Sequence, residues 1–569
     1  MERRTKIAVL GTVTAVIIIA IVAITMIIDK ITPSDKVMEL TEYYKLGDSE
    51  VLVILQDEIY ETKGMLQNGM VYIDYDTVVK QFNHRFYWDN NENLLTYTTP
   101  DEIIRIEADS KEYTVTKSMI ETKVVSEYPI VEFINNQVYL SLEFVKQYSD
   151  LTFEYYEEPN RVVINYIWGD YLYSKVSEAT QLRYKPSIKS PILVQLPAGT
   201  SLMHVDTEEA PEKGFVKVMT ADGIKGYVRQ KNLKKSFYEK LESSYQAPKY
   251  TAQTRTGKVN MVFHQIFNES AVDNLENLVR RTKDLTVIAP TFFSIKDETG
   301  TLSSVATQEY VSKAEDLGLE VWAVVDDFNV NPDLNMSQLL SYSSRRDALS
   351  NALIEAALEY KLNGINIDFE KIPSESGIHF IEFLRELSVK CRNNGIVLSV
   401  DNYVPSPYTE YYDREEQGEI LDYVVIMAYD EYHGGSEVAG PVSSIGFVKD
   451  AINNTLAMVP KEKTIIAIPF YTRVWKEVNG EVSAEALGMA RTIEFLAENG
   501  VEAKWDNSYG CNYAEFTKDG AIYRIWQEEE RSIEEKMKAI KEADVAGVAE
   551  WKLGLENENV WNTITRYIK

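Results

Sequence analysis

Two cysteines in 569 residues are few. Cys391 and Cys511 lie far apart, form no C-x-x-C pair and lack metal-ligand spacing, so no disulfide or thiolate metal centre can be read from them. The low count suits an exported bacterial protein that does not rely on disulfides. Positive charge is also scarce: 59 Lys and Arg stand against 88 Asp and Glu, a formal net charge of -29. Phosphate backbones need a basic stripe, so nucleic acid is excluded as a partner. The average surface equally disfavours anionic lipid and anionic wall polymer. No A-x-A cleavage site follows the long apolar run near the N-terminus. What remains is ordinary globular composition, 45% hydrophobic and 26% charged, on a chain long enough for several domains. Tyrosine is plentiful at 36 residues. Most such rings fill β-rich cores, and the same amphipathic ring suits carbohydrate.

Met1-Glu2-Arg3-Arg4-Thr5-Lys6 is basic, and residues 7–28 carry no charge. A helix of about 22 residues spans about 33 Å, enough for a bilayer. The basic stub stays cytoplasmic by the positive-inside rule, which puts the remaining chain outside. The expectation is a membrane anchor over 1–30 with extracellular domains beyond it. The alternative is a secreted protein whose signal is cleaved at an unusual site. A polar linker follows over 31–45.

An internal repeat comes next. Val71-Tyr72-Ile73-Asp74-Tyr75-Asp76-Thr77-Val78-Val79-Lys80-Gln81-Phe82 matches Val138-Tyr139-Leu140-Ser141-Leu142-Glu143-Phe144-Val145-Lys146-Gln147-Tyr148, with one residue inserted in the first copy. Each copy runs on into an aromatic strand pair closed by a polar turn. Strand, short helix and hairpin thus occur twice, and the reading is one α+β domain of two similar halves over 46–168. It resembles the copper amine oxidase N-terminal-like domain of bacterial surface proteins. That resemblance implies no copper, and the region holds a lone histidine, His84. Residues 170–236 read as short strands separated by turns and resemble a bacterial SH3-type barrel. This module is either a binder of wall peptide or a spacer without a ligand. A second linker fills 237–255.

From 256 to 569 strand and helix patterns alternate. Eight candidate strands, at 259–267, 285–290, 320–325, 364–370, 396–400, 423–429, 464–470 and 547–551, are joined by helical stretches such as 346–360 and 378–393. The reading is an (α/β)8 TIM barrel, a fold that sets its chemistry at the C-terminal ends of the strands.

The fourth strand is the informative one. In Asn363-Gly364-Ile365-Asn366-Ile367-Asp368-Phe369-Glu370 apolar and polar residues alternate with period two. Ile365, Ile367 and Phe369 face the helices. Asn366, Asp368 and Glu370 face the barrel interior, with Glu370 highest. Sheets do not bury carboxylates without cost. Two neighbouring carboxyls resist ionising together, which raises the pKa of Glu370 and suits it to donate a proton.

This segment resembles the signature of glycoside hydrolase family 18, D-G-x-D-x-D-x-E. The resemblance implies that Glu370 is the proton donor, that Asp368 holds the acetamide N–H, and that the substrate's own acetamide oxygen attacks the anomeric carbon with retention. Asn363 and Asn366 replace two acids of the pattern, which alters proton sharing below Asp368. Met427-Ala428-Tyr429-Asp430 resembles the family's strand-six M-x-Y-D segment. It implies a catalytic Tyr429 on the acetamide oxygen and places Met427 and Asp430 at the sugar site. Ala467-Ile468-Pro469-Phe470-Tyr471-Thr472-Arg473 resembles the strand-seven G-x-P-x-Y-G-R segment and implies Tyr471 and Arg473 as binding residues. Ala467 and Thr472 stand there for glycines. Gly547-Val548-Ala549-Glu550-Trp551-Lys552 resembles the last strand, with Trp551 as an aromatic floor beneath the sugar. Asn366 joins the binding set. Trp526 and Glu528, and the loop-mouth residues Asp326, Asp327, Asn402 and Tyr403, have no assigned role.

The resemblance implies a glycosidase that needs no cofactor and no metal. Its expected partners are cell-wall polysaccharide or N-acetylglucosamine oligomers, a wall peptide at the SH3-like module, and the membrane through the N-terminal helix. Two competitors stay open, a non-catalytic wall lectin and a scaffold whose barrel is inert.

Overall fold

The computed structural model describes residues 2–47, 49–206 and 211–568, with side chains from residue 6 onward. Met1, Asp48, residues 207–210 and Lys569, which fall within the anchor, α+β, SH3-like and barrel ranges expected above, lie outside the described residues. The chain forms two compact units. One runs up to Phe86 and adds Ala108–Lys111 and Glu127–Ala247; the other comprises Tyr87–Glu107, Glu112–Ser126 and the chain from Pro248 on.

The first unit opens with a helix, Glu2–Ile31. Its Lys6–Ile31 stretch is apolar and long enough to cross a membrane, and none of its most apolar window is buried. The repeat follows. Its two equivalent strands, Met70–Asp74 and Gln137–Ser141, pair antiparallel, Ile73 beside Leu140. Each feeds a short helix, and Asp74 caps the first by accepting from the Thr77 amide at 2.9 Å. A seven-stranded antiparallel sheet between Gly169 and Leu241 encloses its own apolar core, with Val176, Leu182, Leu202, Val218 and Val228 buried.

The two halves of the repeat part company at their hairpins. The second hairpin, Thr152–Tyr156 with Arg161–Asn165, joins the sheet of the first unit through Glu50–Leu55. The first hairpin, Tyr87–Asp89 with Leu94–Thr98, instead begins a five-stranded meander that ends at Val125 and belongs to the second unit. The stretch read as one domain over 46–168 thus contributes to both units. The physical reason is a set of polar anchors on two barrel helices, α1 (Ser343–Tyr360) and α2 (Gly377–Asn394). Asp89 accepts from the Ser343 amide at 2.6 Å and so caps α1. Arg105 bonds Glu386 at 2.9 Å and Asp347 at 3.0 Å. Tyr87 meets His379 at 2.6 Å and accepts from Arg346 at 3.2 Å.

The barrel consists of β1 (Val259–His264), β2 (Val287–Pro290), β3 (Glu320–Asp326), β4 (Gly364–Asp368), β5 (Val397–Tyr403), β6 (Tyr423–Met427), β7 (Thr464–Pro469) and β8 (Gly547–Trp551). Every neighbouring pair is parallel, and β1 pairs with β8 to close the ring. Outward side chains such as Ile365, Ile367, Ile426 and Val548 pack under the helices. Inward ones fill the lower barrel with Met261, Trp322, Val324, Tyr423, Val425, Ile465 and Ala549. The barrel is thus a packed core, and a site can open only at its top. Between β7 and β8 an insertion adds a five-stranded antiparallel sheet whose first strand is Tyr471–Val478.

Candidate active site

Alternation along each strand decides which side chains reach the mouth. β4 starts at Gly364, where an added Cβ would lie 2.7 Å from the Trp322 ring and 3.0 Å from the Val397 carbonyl, so the close approach of β3 and β5 requires glycine. Two residues on, Asn366 points inward; Asp368 follows, and then Glu370 just beyond the strand. β5 repeats this parity with Ser399, Asp401 and Tyr403. Going up the barrel, the inward face changes from apolar to acidic.

A cleft of about 1000 Å³ opens there. Its lining includes Phe263, Asp326, Asp368, Glu370, Asp401, Tyr403, Met427, Tyr429, Asp430, Tyr471 and Trp551. The ring of Trp551 lies 5.4 Å from that of Phe263, tilted by 53°. An indole face lining a cleft suits the apolar C–H face of a sugar.

Glu370 is held from three sides. The Tyr403 hydroxyl donates to its Oε2 at 2.7 Å. Its backbone N–H donates to Asp327 Oδ1 at 3.0 Å, and the Lys371 N–H donates to Oδ2 of the same carboxylate at 2.9 Å. Tyr412 donates to the Phe369 carbonyl at 3.0 Å. Across the cleft Asp430 accepts from Tyr471 at 2.5 Å and from Arg473 at 2.7 Å. Asp430 itself has φ of 56°, a left-handed turn that aspartate tolerates better than most side chains.

The site is rich in acid and poor in cation. Seven carboxyls, Asp326, Asp327, Asp368, Glu370, Asp401, Asp430 and Glu431, lie at this end. Among the described residues only Asp430 of the seven makes an ion pair, with Arg473. Burial comes first in raising Glu370, with Asp430 and Asp326 adding to it and the Tyr403 hydrogen bond opposing it. The expectation that a neighbouring carboxyl dominates is therefore corrected: desolvation is the larger cause. Asp368 is raised well above the usual carboxylate range by burial, then by the charges of Asp401 and Glu370. Burial lifts Asp401 to about 8 and Asp327 to about 6. It also pushes the Tyr429 phenol far up, so that hydroxyl remains a donor. This arrangement shifts the carboxyl at the mouth toward its protonated form, the form that proton donation to a leaving oxygen requires.

Residues 245–556 match the family model described as glycosyl hydrolases family 18. The chain belongs to this family. Residues 54–164 match a second model, the copper amine oxidase N-terminal domain. Among curated proteins, the cortical fragment-lytic enzyme of Bacillus anthracis is 26% identical over 278 residues, which is 47% of this chain and 62% of that protein. The cortical fragment-lytic enzyme of Bacillus subtilis is 29% identical over 233 residues, 39% of this chain and 54% of that protein. This chain thus spans little more than half the length of these relatives. Among solved structures, the spore cortex-lytic enzyme of Bacillus cereus aligns with a TM-score of 0.50 and 24% identity, over 59% of this chain and 79% of that one. A chitinase from Chromobacterium violaceum aligns with a TM-score of 0.50 and 20% identity, over 54% and 98%. At these identities the likeness establishes the fold.

Within the family 18 barrel, seven of the nine residues selected from the sequence meet at one cleft: Asp368, Glu370, Met427, Tyr429, Asp430, Tyr471 and Trp551. The other two stand behind it. Asn366 is wholly buried, and its amide serves Ser399 at 2.9 Å and Asp401 at 3.0 Å. Arg473 reaches the cleft only through Asp430. Thr472, in a glycine position of the family pattern, is buried and accepts from the Glu528 amide at 2.9 Å, so the backbone still delivers Arg473. Glu528 pairs with Lys536 at 2.9 Å, away from the lining. Of the unassigned loop residues, Tyr403 binds Glu370 and Asp327 caps the loop carrying it. Asn402 has the opposite parity and turns outward to Gln417 at 2.7 Å. Asp401 was not selected from the sequence at all. The Ser399-x-Asp401-x-Tyr403 alternation was the available signal.

Proposed function

We propose that this chain is a glycoside hydrolase cleaving β-1,4 linkages of an N-acetylglucosamine-containing glycan, peptidoglycan or chitin-like, by the substrate-assisted retaining route. The observation that carries the reading is the convergence of Asp368, Glu370 and Tyr429 on one cleft that the Trp551 indole also lines. Glu370 donates its proton to the glycosidic oxygen as that bond breaks. The sugar's acetamide oxygen attacks the anomeric carbon from the opposite face, and an oxazolinium forms. The Asp368 carboxylate accepts the acetamide N–H and offsets the developing positive charge. Tyr429 donates to the acetamide oxygen. Glu370, now a carboxylate, takes a proton from water, which opens the ring with overall retention. Met427, Asp430, Tyr471 and Trp551 bound the sugar; Arg473 and Asn366 act through Asp430 and Asp401.

Peptidoglycan is the favoured glycan. The curated relatives above are named for lysis of cortical fragments, and the copper amine oxidase-type match agrees with a bacterial surface protein. An SH3-like module at 170–236 reading wall peptide and a membrane anchor at the N-terminus would keep the activity at the wall, facing outward. Two measurements test the reading. Mass spectrometry of products from purified peptidoglycan and from chitin oligomers should show cleavage with N-acetylglucosamine contributing the bond's anomeric carbon. Glu370→Gln should lower kcat by about 10²–10⁴-fold while sugar binding persists. Equal inertness of parent and variant, with binding intact, would convert the protein to a lectin.

A further inference from the structure

Strands β4 and β5 keep one constant offset: Gly364 lies beside Val397, Asn366 beside Ser399 and Ile367 beside Val400. Continued upward, the same offset sets Asp368 beside Asp401 and Glu370 beside Tyr403. The 2.7 Å bond between Tyr403 and Glu370 agrees with it. Neighbouring strands are about 4.8 Å apart, so the inward carboxyls of Asp368 and Asp401 sit side by side. Both are buried, at 6% and 3% exposure.

Their surroundings are short of donors. Asn366 gives its amide protons to Ser399 Oγ and Asp401 Oδ1. Asp368 Oδ1 and Asn366 Oδ1 are buried acceptors with no hydrogen-bond partner. The groups that face the pair from the surrounding elements add negative charge or neutral hydroxyls. They are Glu370 beyond β4, Tyr403 on β5, Asp326 at the end of β3 with Asp327 just after it, and Tyr429 and Asp430 after β6. The nearby cation, Arg473, is committed to Asp430. Two adjacent buried carboxylates without a counter-ion are untenable, so the pair carries one proton. Because Asn366 donates to Asp401 Oδ1, that oxygen is the acceptor and Oδ2 is the one free to carry the proton.

We propose that Asp401 is the proton partner of Asp368, a positioning residue that supplies from the adjacent strand the acid replaced in the signature by Asn366. The proposal rests on the substrate-assisted reading above. In the empty site one proton is shared between the two carboxyls. When substrate binds, the O–H of Asp368 breaks and an O–H forms on Asp401 Oδ2; the pair keeps its single negative charge. Asp368 is left as a carboxylate that can accept the acetamide N–H, steadied from behind by the Asp401 hydroxyl.

The test uses the full chain and three variants. In Asp401→Ala, Asp368 loses its donor and is harder to ionise. The acidic limb of kcat/KM moves to higher pH by about one unit or more, and kcat falls at least tenfold, about 1.4 kcal/mol, with KM within twofold of the parent. Asn366→Asp combined with Asp401→Ala returns an acid next to Asp368, and the limb moves back. Asp401→Asn supplies a donor without a titrating proton, so its infrared spectrum near neutral pH lacks one neutral-carboxyl C=O band of the parent. An unmoved acidic limb in Asp401→Ala overturns the proposal even if activity drops, and so does an Asp401→Asn spectrum that keeps every neutral-carboxyl band. If the parent turns over no glycan, the reading of the function fails, and the infrared comparison still decides whether the pair holds a proton.

Discussion

Replacing Tyr403 by phenylalanine deletes one hydroxyl and leaves the ring in place. That hydroxyl donates to Glu370 Oε2 at 2.7 Å, and it is the influence that holds the carboxyl down against burial. A hydrogen bond to an ionised group is worth about 1.5–3 kcal/mol, and one to a neutral group about 1 kcal/mol. The hydroxyl serves Glu370 in both protonation states but favours the charged one, by a difference of about 1–2 kcal/mol. One pKa unit corresponds to about 1.4 kcal/mol. Glu370 should therefore rise by about one further unit in the variant. In the free enzyme the basic limb of kcat/KM reports loss of the catalytic proton. Because the pKa of the group rises, the proton is retained to higher pH, and the basic limb moves upward by about one unit. The acidic limb, set by ionisation of the Asp368–Asp401 pair, should move much less. Initial rates on a chromogenic N-acetylglucosamine oligomer across the pH range give both limbs. A basic limb that stays in place, or moves to lower pH, would show that Tyr403 does not set the charge state of Glu370 and would refute the electrostatic account of the site.

Two further perturbations address what holds the second unit together. Arg346 is fully buried between Glu386, Tyr87 and Ser343, so Arg346→Met strands part of a buried carboxylate's charge and should destabilise by about 3–5 kcal/mol; the urea midpoint should fall, with faster hydrogen exchange across the 87–125 meander. Glu550 is fully buried and neither of its carboxyl oxygens has a partner. Burial raises it well above the usual range, so its stability contribution is complete below the unfolded-state pKa and is lost as pH rises through the folded one. Glu550→Met should raise the urea midpoint by the equivalent of about 1–3 kcal/mol near neutral pH and flatten the loss of stability toward alkaline pH; a variant less stable than the parent would mean that Glu550 has a partner after all.

Much of the barrel was legible because period-two alternation is a local property. Strands β1 to β8 each overlap one of the eight alternating runs, and Gly547–Trp551 matches to the residue. The errors have local causes too. β4 ends at Asp368 rather than at Glu370, because the Glu370 and Lys371 amides are taken by the Asp327 carboxylate instead of a neighbouring strand. β5 runs on to Tyr403, three residues past the expected end at Val400, and those three residues contain Asp401 and Tyr403. The early end hid the acid beside Asp368 and left Tyr403, the donor on Glu370, at a loop mouth without a role. The divided repeat was illegible for a different reason. Its two hairpins look alike in sequence, and what separates them is a set of contacts with residues some 250 positions away, such as Asp89 with Ser343. No local pattern announces a partner at that distance.

The same register explains why asparagine suits position 366 in this chain. An aspartate there would stand below Asp368 on the same strand and diagonally next to Asp401. The interior would then hold three carboxyls with Ser399 as the nearest neutral donor, and two of them would have to be protonated at once. An amide of the same shape adds no charge and brings two donor hydrogens, which the structure directs to Ser399 and Asp401. The acid on β5 and the amide on β4 are therefore compensating choices. Either strand can supply the second carboxyl, but only one of them at a time fits a buried pair that carries a single proton. Departure from the signature at Asn366 consequently need not signal a lost activity.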